Sequence, residues 1–269
     1  MQYEPIKRSL GRFFDRSGFM RKTLYFLLDL LLLRTWHVKK ALRKVAREYR
    51  GPADILDAGS GFGQYTWRMS RMNSQWRIKA VDINSEQIND CTRFFDKAGV
   101  SDRVTFETLD LTKLEESDRY NIILSVDVME HIENDLIVFR NFFNSLKDNG
   151  ILLISTPSDK GGSDVHDETE ESFIDEHVRD GYGIEDISQK LKSAGFRNIR
   201  VSYTYGKPGN ISWRLSMKYP IKMLNKSYLF FILLPFYYLV TFPVSVVLNI
   251  FDLRLTHKSG TGLLVTARK

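Results

Sequence analysis

Cysteine is nearly missing from this chain, with Cys91 the single one in 269 residues. One thiol cannot close an internal disulfide, and it fits a reducing compartment, where it reads as a small buried hydrophobe. Internal repeats and low-complexity tracts are missing too. Acid is scarce in two places. Residues 1–50 hold 13 Lys and Arg against four acids, and residues 207–258 hold seven against one, Asp252, which leaves −9 on the rest of a chain whose net charge is +6. That distribution excludes a uniformly basic protein and points to a local anionic partner. A convincing secretory signal is lacking: the apolar run Leu24 to Leu33 begins late, is broken by Asp29 and leads into Arg34 with no small-residue cleavage site. It is also shorter than the ~20 apolar residues that span a bilayer.

What is present is an alternation of strand and helix signals. From Trp36 onward, Val38, Ala41, Leu42, Val45, Ala46 and Tyr49 recur at helical spacing, with Lys39, Lys40, Arg43, Lys44 and Arg47 on the other side and Gly51-Pro52 as the stop. Then "DILDAG", "RIKAVDIN", "VTFETLDL", "YNIILSVD" and "GILLISTP" read as five buried strands, with "SEQINDCTRFFDKAG" and "NDLIVFRNFFNSLKDNG" as helices between them. Such alternation implies right-handed crossovers and a parallel sheet covered on both faces. An acidic, turn-rich loop follows the fifth strand, then a helix "IEDISQKLKSAGF", a strand "NIRVSYTY" and a closing strand "GTGLLVTARK".

The turn after the first strand reads "LDAGSGFGQYT", with glycine at 59, 61 and 63. Glycines where a strand becomes a helix let backbone approach a ligand, and the helix start offers unpaired N–H groups. The dinucleotide fingerprint GxGxxG needs glycine where Gln64 stands. Asp57, two residues before Gly59, would repel a pyrophosphate and welcome an ammonium group. A dehydrogenase could use the same strand-end acids, but the glycine spacing and any hydride-handling candidate are lacking.

These residues resemble the first motif of class I S-adenosylmethionine-dependent methyltransferases, in order from about Asp54 to Phe196. The resemblance implies a Rossmann-like, seven-stranded, mostly parallel sheet with helices on both faces and the last strand antiparallel. It implies that the loop, through Asp57, Gly59, Ser60, Gly61 and Gly63, wraps the methionine half of S-adenosylmethionine. Asp82, 19 residues after Gly63, would take the ribose hydroxyls, with Ile83 beside it. Asp110 and Leu111 would flank the adenine, and Ser125 would complete the pocket at the fourth strand. Tyr65 and Trp67 read as first-turn packing residues.

At the reacting end, "SVDVMEHIEND" resembles the ExxEH stretch of the ubiquinone-biosynthesis O-methyltransferases, with Asp127 in place of the first Glu, then Glu130 and His131. There the resemblance implies a catalytic group and a divalent metal; the shorter Asp127 weakens the metal reading. Histidine, with an ordinary pKa of about 6.5, suits a general base. The alternative is that the stretch only braces the loop. His166 and His177 lie in the acidic loop and read as structural.

Between the last two strands, Tyr228 to Ile250 runs 23 residues without a charge. The flanking strands should share a sheet, so the chain must return to the side it left, and one crossing is excluded. Pro235 and Pro243 should cut a straight helix into pieces. The expectation is a monotopic or re-entrant hairpin in one leaflet, on the cytoplasmic side, with Lys218, Lys222 and Lys226 at anionic headgroups and the Leu24 to Leu33 run as a second contact. The alternative is that both runs pack together as a cap or dimer interface. Nucleic acid is not expected, since the basic residues adjoin lipid-like runs rather than stacking aromatics. The segments are therefore a basic and apolar N-terminal helical segment (1–50), a core (51–206), an apolar membrane-associating insert (207–258) and a closing strand (259–269). The expected function is methyl transfer to a small hydrophobic, membrane-resident acceptor, at oxygen; a noncatalytic cofactor-binding or assembly protein is the other reading. Oligomeric state is left open.

Overall fold

The computed structural model describes residues 18–161, 178–227 and 229–269. Two helices, α1 (Gly18–Leu31) and α2 (Leu33–Glu48), precede β1 (Ala53–Ala58), α3 (Gln64–Met72), β2 (Trp76–Asp82), α4 (Ser85–Lys97), β3 (Val104–Thr108) and β4 (Tyr120–Val126). Then come α5 (Asp135–Ser145), β5 (Leu146–Pro157), α6 (Ile184–Ser193) and β6 (Arg197–Thr204). Next are α7 (Lys207–Trp213), a π-turn (Arg214–Lys218), α8 (Tyr219–Lys226), α9 (Phe230–Arg254) and β7 (Gly262–Arg268).

The strands form one seven-stranded sheet in the order β3-β2-β1-β4-β5-β7-β6. β1 pairs in parallel with β2 and β4, and β7 is antiparallel to both of its neighbours. Successive residues of the central strands enter different cores. Leu56, Ile123 and Leu152 pack with Phe139, Phe142 and Ile187 on one face, while Ile55, Ile122 and Leu153 pack with Leu42, Phe95 and Trp76 on the other. Burial on both faces is why these strands are near-continuous apolar runs. α2 buries the predicted stripe through Val38, Leu42 and Val45. The fifth strand starts earlier than its glycine suggests, at Leu146, directly after α5.

The N-terminal run is not one apolar surface. Leu32 separates α1 from α2, Tyr25 and Leu33 are buried, and Phe26 and Leu27 are exposed. The insert also departs from expectation. Pro235 and Pro243 do not cut it: α9 runs unbroken through both. Each proline removes one backbone N–H, but packing on either side of it holds the axis. Tyr237 and Tyr238, between the prolines, donate to the carbonyls of Leu215 and Ser216 at 2.7 and 2.8 Å. Beyond Pro243, Asp252 accepts from the Gly209 N–H at 3.0 Å. The two carbonyls that receive the tyrosines lie in the π-turn, where the wider helix disturbs the usual pairing and side chains fill in.

The hairpin is therefore larger than the uncharged run, with α7, the π-turn and α8 as the outward arm and α9 as the return arm. It leaves from the end of β6 and re-enters at the start of β7, which pair from Thr204 to Gly262. Since β7 is antiparallel, both points lie at the carboxyl edge of the parallel strands.

Candidate functional site

The carboxyl edge gathers the sequence-predicted residues. After β1, the N–H groups of Gly59 and Ser60 both donate to the Val81 carbonyl at 2.9 Å, folding the loop over β2. The three glycines have positive φ, of 81°, 50° and 75°, and are needed for different reasons. A Cβ at Gly59 would lie 2.1 Å from Val128 Cγ2, and one at Gly63 would crowd Cys91, Phe95 and Tyr25. At Gly61 it would meet nothing nearer than Gln87 Oε1 at 3.8 Å, so that face of the loop is open toward a ligand.

Asp57 is buried and accepts from Thr66 Oγ1 at 2.5 Å, across the first turn of α3. Burial pushes its pKa up to about 7, the Thr66 hydrogen bond pulls down, and nearby Asp82 adds to the rise. A cation beside it would favour the carboxylate form. Asp82 Oδ2 accepts from the Gly61 N–H at 2.8 Å and Oδ1 from the Asn84 N–H at 2.9 Å. Each oxygen keeps a lone pair for a hydroxyl. Next to it Ile83 is 75% exposed, an apolar side chain at the end of β2.

Asp110 caps the short turn Leu111–Lys113, accepting from Thr112 N and Oγ1. Those bonds hold its pKa below the ordinary carboxylate value. Leu111 buries its side chain in the core, and its carbonyl accepts from Asn141 Nδ2 at 2.9 Å. The hydroxyls of Ser60 and Ser125 are buried without a partner among the described residues. An unmade hydrogen bond of that kind costs about 1–3 kcal/mol, so both fit a ligand that supplies the missing partner.

At the reacting end, the nearby charges of His131 and Arg34 favour the Glu130 carboxylate. Asp127, at φ 51°, pairs with Arg34. Glu130 is buried and accepts from Thr156 Oγ1 at 3.0 Å, and burial raises its pKa. His131 is exposed. Among the described residues no three His, Cys, Asp or Glu side chains are gathered to hold a metal. His166 and His177 lie outside the described residues.

Sequence reasoning missed Arg34, Thr66, Thr156 and Tyr205. Arg34, at the start of α2, reaches Asp127, and its backbone N–H donates to Tyr205 Oη at 2.8 Å. Burial works against its charge, but Tyr65, Tyr205 and Glu130 around it outweigh that and its pKa rises. Tyr65 thus belongs to this polar mouth, its hydroxyl 3.4 Å from Thr35 Oγ1, whereas Trp67 packs on Phe94 and Phe95 as expected. No local pattern could have joined residues 34, 127 and 205.

The methyltransferase-domain family matches residues 52–197, more than half of the chain. The chain belongs to that family. Its sheet and loop are those of the class I S-adenosylmethionine-dependent methyltransferases. Phosphoethanolamine N-methyltransferase of Triticum aestivum is 27% identical over 146 residues, covering 54% of this chain and 28% of its own length. Ubiquinone biosynthesis O-methyltransferase of Rickettsia canadensis (strain McKiel) is 25% identical over 117 residues, covering 43% of this chain and 48% of its own. The chain thus spans about half or less of the length of these relatives. Neither group stands out, so the ubiquinone-type resemblance widens to the class I family. Among solved structures, phosphoethanolamine N-methyltransferase 2 of Haemonchus contortus with S-adenosyl-L-methionine aligns at TM-score 0.59 and 18% identity, covering 97% of this chain and 60% of that one. An S-adenosylmethionine dependent methyltransferase from Mesorhizobium loti aligns at TM-score 0.51 and 17% identity, covering 81% and 92%. At these identities the structures share the fold.

Proposed function

We propose that this protein transfers a methyl group from S-adenosylmethionine to an oxygen of a small hydrophobic acceptor held in a membrane. When bound, the cofactor supplies an electrophilic methyl on a sulfonium. Asp57 draws the amino end, Gly61 leaves room for the methionine chain, Asp82 and Ile83 receive the ribose and base side, and Ser60 and Ser125 find partners. Asp127, Glu130 and His131 are the candidates to orient the acceptor and take its proton, the step that a hydroxyl acceptor needs. His131 is reachable from solvent, Asp127 is held by Arg34, and Glu130 stands behind them as a brace.

The observation that carries the lipophilic acceptor is the place of the hairpin. Its apolar arm rises from the same sheet edge as the glycine loop, and only 6% of its most apolar stretch is buried. Phe231, Ile232, Phe236, Leu239 and Val240 are exposed, far more apolar surface than water favours. Lys222 and Lys226, at the tip of the outward arm, are exposed beside it. A bilayer contacting the hairpin, on the cytoplasmic side, would bring acceptors to the mouth formed by Arg34, Tyr65 and Tyr205. Incubation with labelled cofactor and a total lipid extract tests this. Label should enter a lipid with the gain of one CH2, and cofactor turnover that needs no lipid would count against it.

A further inference from the structure

We propose that the outer face of α1 is a second lipid-contact surface through which an anionic bilayer tightens cofactor binding. This rests on the membrane contact proposed above and concerns its regulation.

The inner face of α1 grips the glycine loop. Arg21 Nη2 and Tyr25 Oη both donate to the Phe62 carbonyl, at 3.0 and 2.5 Å, in the middle of that loop. Arg21 Nη1 also donates to the Asp90 carbonyl of α4 at 3.1 Å. Tyr25 Oη lies 3.4 Å from where a Cβ on Gly63 would stand. One turn further on, Asp29 receives Gln64 Nε2 at 2.7 Å and pairs with Arg68, so the first two turns of α3 are tied to the same helix. Where α1 sits therefore decides how firmly the loop is held.

The outer face is different. Phe19 is 80% and Phe26 63% exposed, with Leu27 and Lys22 exposed between and beside them. Residues 19, 22 and 26 follow at spacings of three and four, so two aromatics share one face with a lysine whose ammonium lies 5.3 Å from the Trp67 ring of α3. A helix of 14 residues is marginal by itself in water. Exposed aromatic rings suit the acyl-chain boundary of a bilayer, and the net charge of +9 on residues 1–50 suits its anionic headgroups. A bilayer that holds the outer face fixes the helix whose inner face holds the loop. Coupling of this kind is reciprocal: lipid tightens cofactor binding, and cofactor tightens lipid binding by the same factor.

The test is the S-adenosylmethionine dissociation constant of the full chain, by calorimetry, with and without vesicles of phosphatidylcholine and phosphatidylglycerol. The wild type should bind roughly fivefold tighter or more on vesicles, the low end of ordinary coupling. The double variant Phe19→Ser, Phe26→Ser should match wild type in free solution, sediment with vesicles through α9, and show no tightening. Wild type that sediments with an unchanged dissociation constant overturns this inference and leaves the membrane reading standing. Wild type that does not sediment removes both. Affinity that rises with protein concentration and ignores vesicles would assign the face to a second copy of the chain and overturn it as well.

Discussion

The cofactor half of the sheet and the helical hairpin are built on opposite rules. In β1, β2 and β4 the apolar side chains point inward and the acids stand at the strand ends. In α9 the inward residues are Ser245, Asn249 and Asp252, all buried, with Tyr237 and Tyr238 turned onto the partner arm, while phenylalanine, leucine and valine face outward. The first half earns its stability by removing apolar surface from water. The second half joins its two arms by hydrogen bonds and leaves its apolar surface uncovered. Such a segment gains from a surrounding that water does not provide, and the surrounding proposed for it is a bilayer.

The largest effect that separates the halves is expected at Gly59. Gly59→Val would place Cβ against Val128 in a left-handed backbone conformation, costing about 3 kcal/mol in strain and overpacking and abolishing cofactor binding. Gly61→Val has open space around it and should cost only about 1–2 kcal/mol of backbone strain while still abolishing binding. Denaturant titration beside calorimetry reads both, and a Gly61 variant with normal affinity would remove the loop from the cofactor site. On the other half, Phe231→Ser with Phe236→Ser should leave folding stability within about 0.5 kcal/mol, since both are exposed. It should weaken vesicle binding by about 1.5–3 kcal/mol per side chain. High salt should release only part of the wild type, because headgroup attraction is screened and apolar burial is not.

How much of this was legible follows the same divide. The strands and the glycine loop declare themselves locally: "DILDAG" and "YNIILSVD" are buried on both faces, and Gly59, Gly61 and Gly63 each occupy a conformation that side chains resist. Asp82 at a strand end could be counted out from Gly63. Contacts made by chain crossing were illegible. Arg34 meets Asp127 and Tyr205 only because α2 is laid against the carboxyl edge beside the hairpin root. His37 and Asp252, 2.8 Å apart, join α2 to α9 in the same way. The prolines of α9 mislead because local propensity carries no information on the partner arm, whose packing overrides it.

Smaller effects sharpen the site. Asp82→Ala should weaken cofactor binding by about 1–3 kcal/mol, from loss of its hydroxyl contacts and of the Gly61 N–H bond. Turnover at saturation should change less than affinity. Arg34→Met frees Asp127 and should lower turnover with cofactor affinity nearly intact; His131→Ala should do the same if it takes the proton, and full turnover in both would place the base elsewhere. The smallest effect is in pH. The apo protein holds Asp57 protonated up to about 7, so this group's contribution to apo stability falls as pH rises from its unfolded value toward 7. Cofactor binding favours the carboxylate, so affinity should rise with pH below about 7 and level off above it, with one proton released per binding event at lower pH. Asp57→Asn should abolish that pH dependence in calorimetry.

The most direct measurement is transfer of labelled methyl from S-adenosylmethionine into the organic phase of a vesicle suspension that contains native lipid extract. Wild type should label a lipid, and the Phe231→Ser, Phe236→Ser variant should label it far more slowly while binding cofactor normally in free solution. Equal labelling by both proteins, or label confined to water-soluble acceptors, would contradict the account.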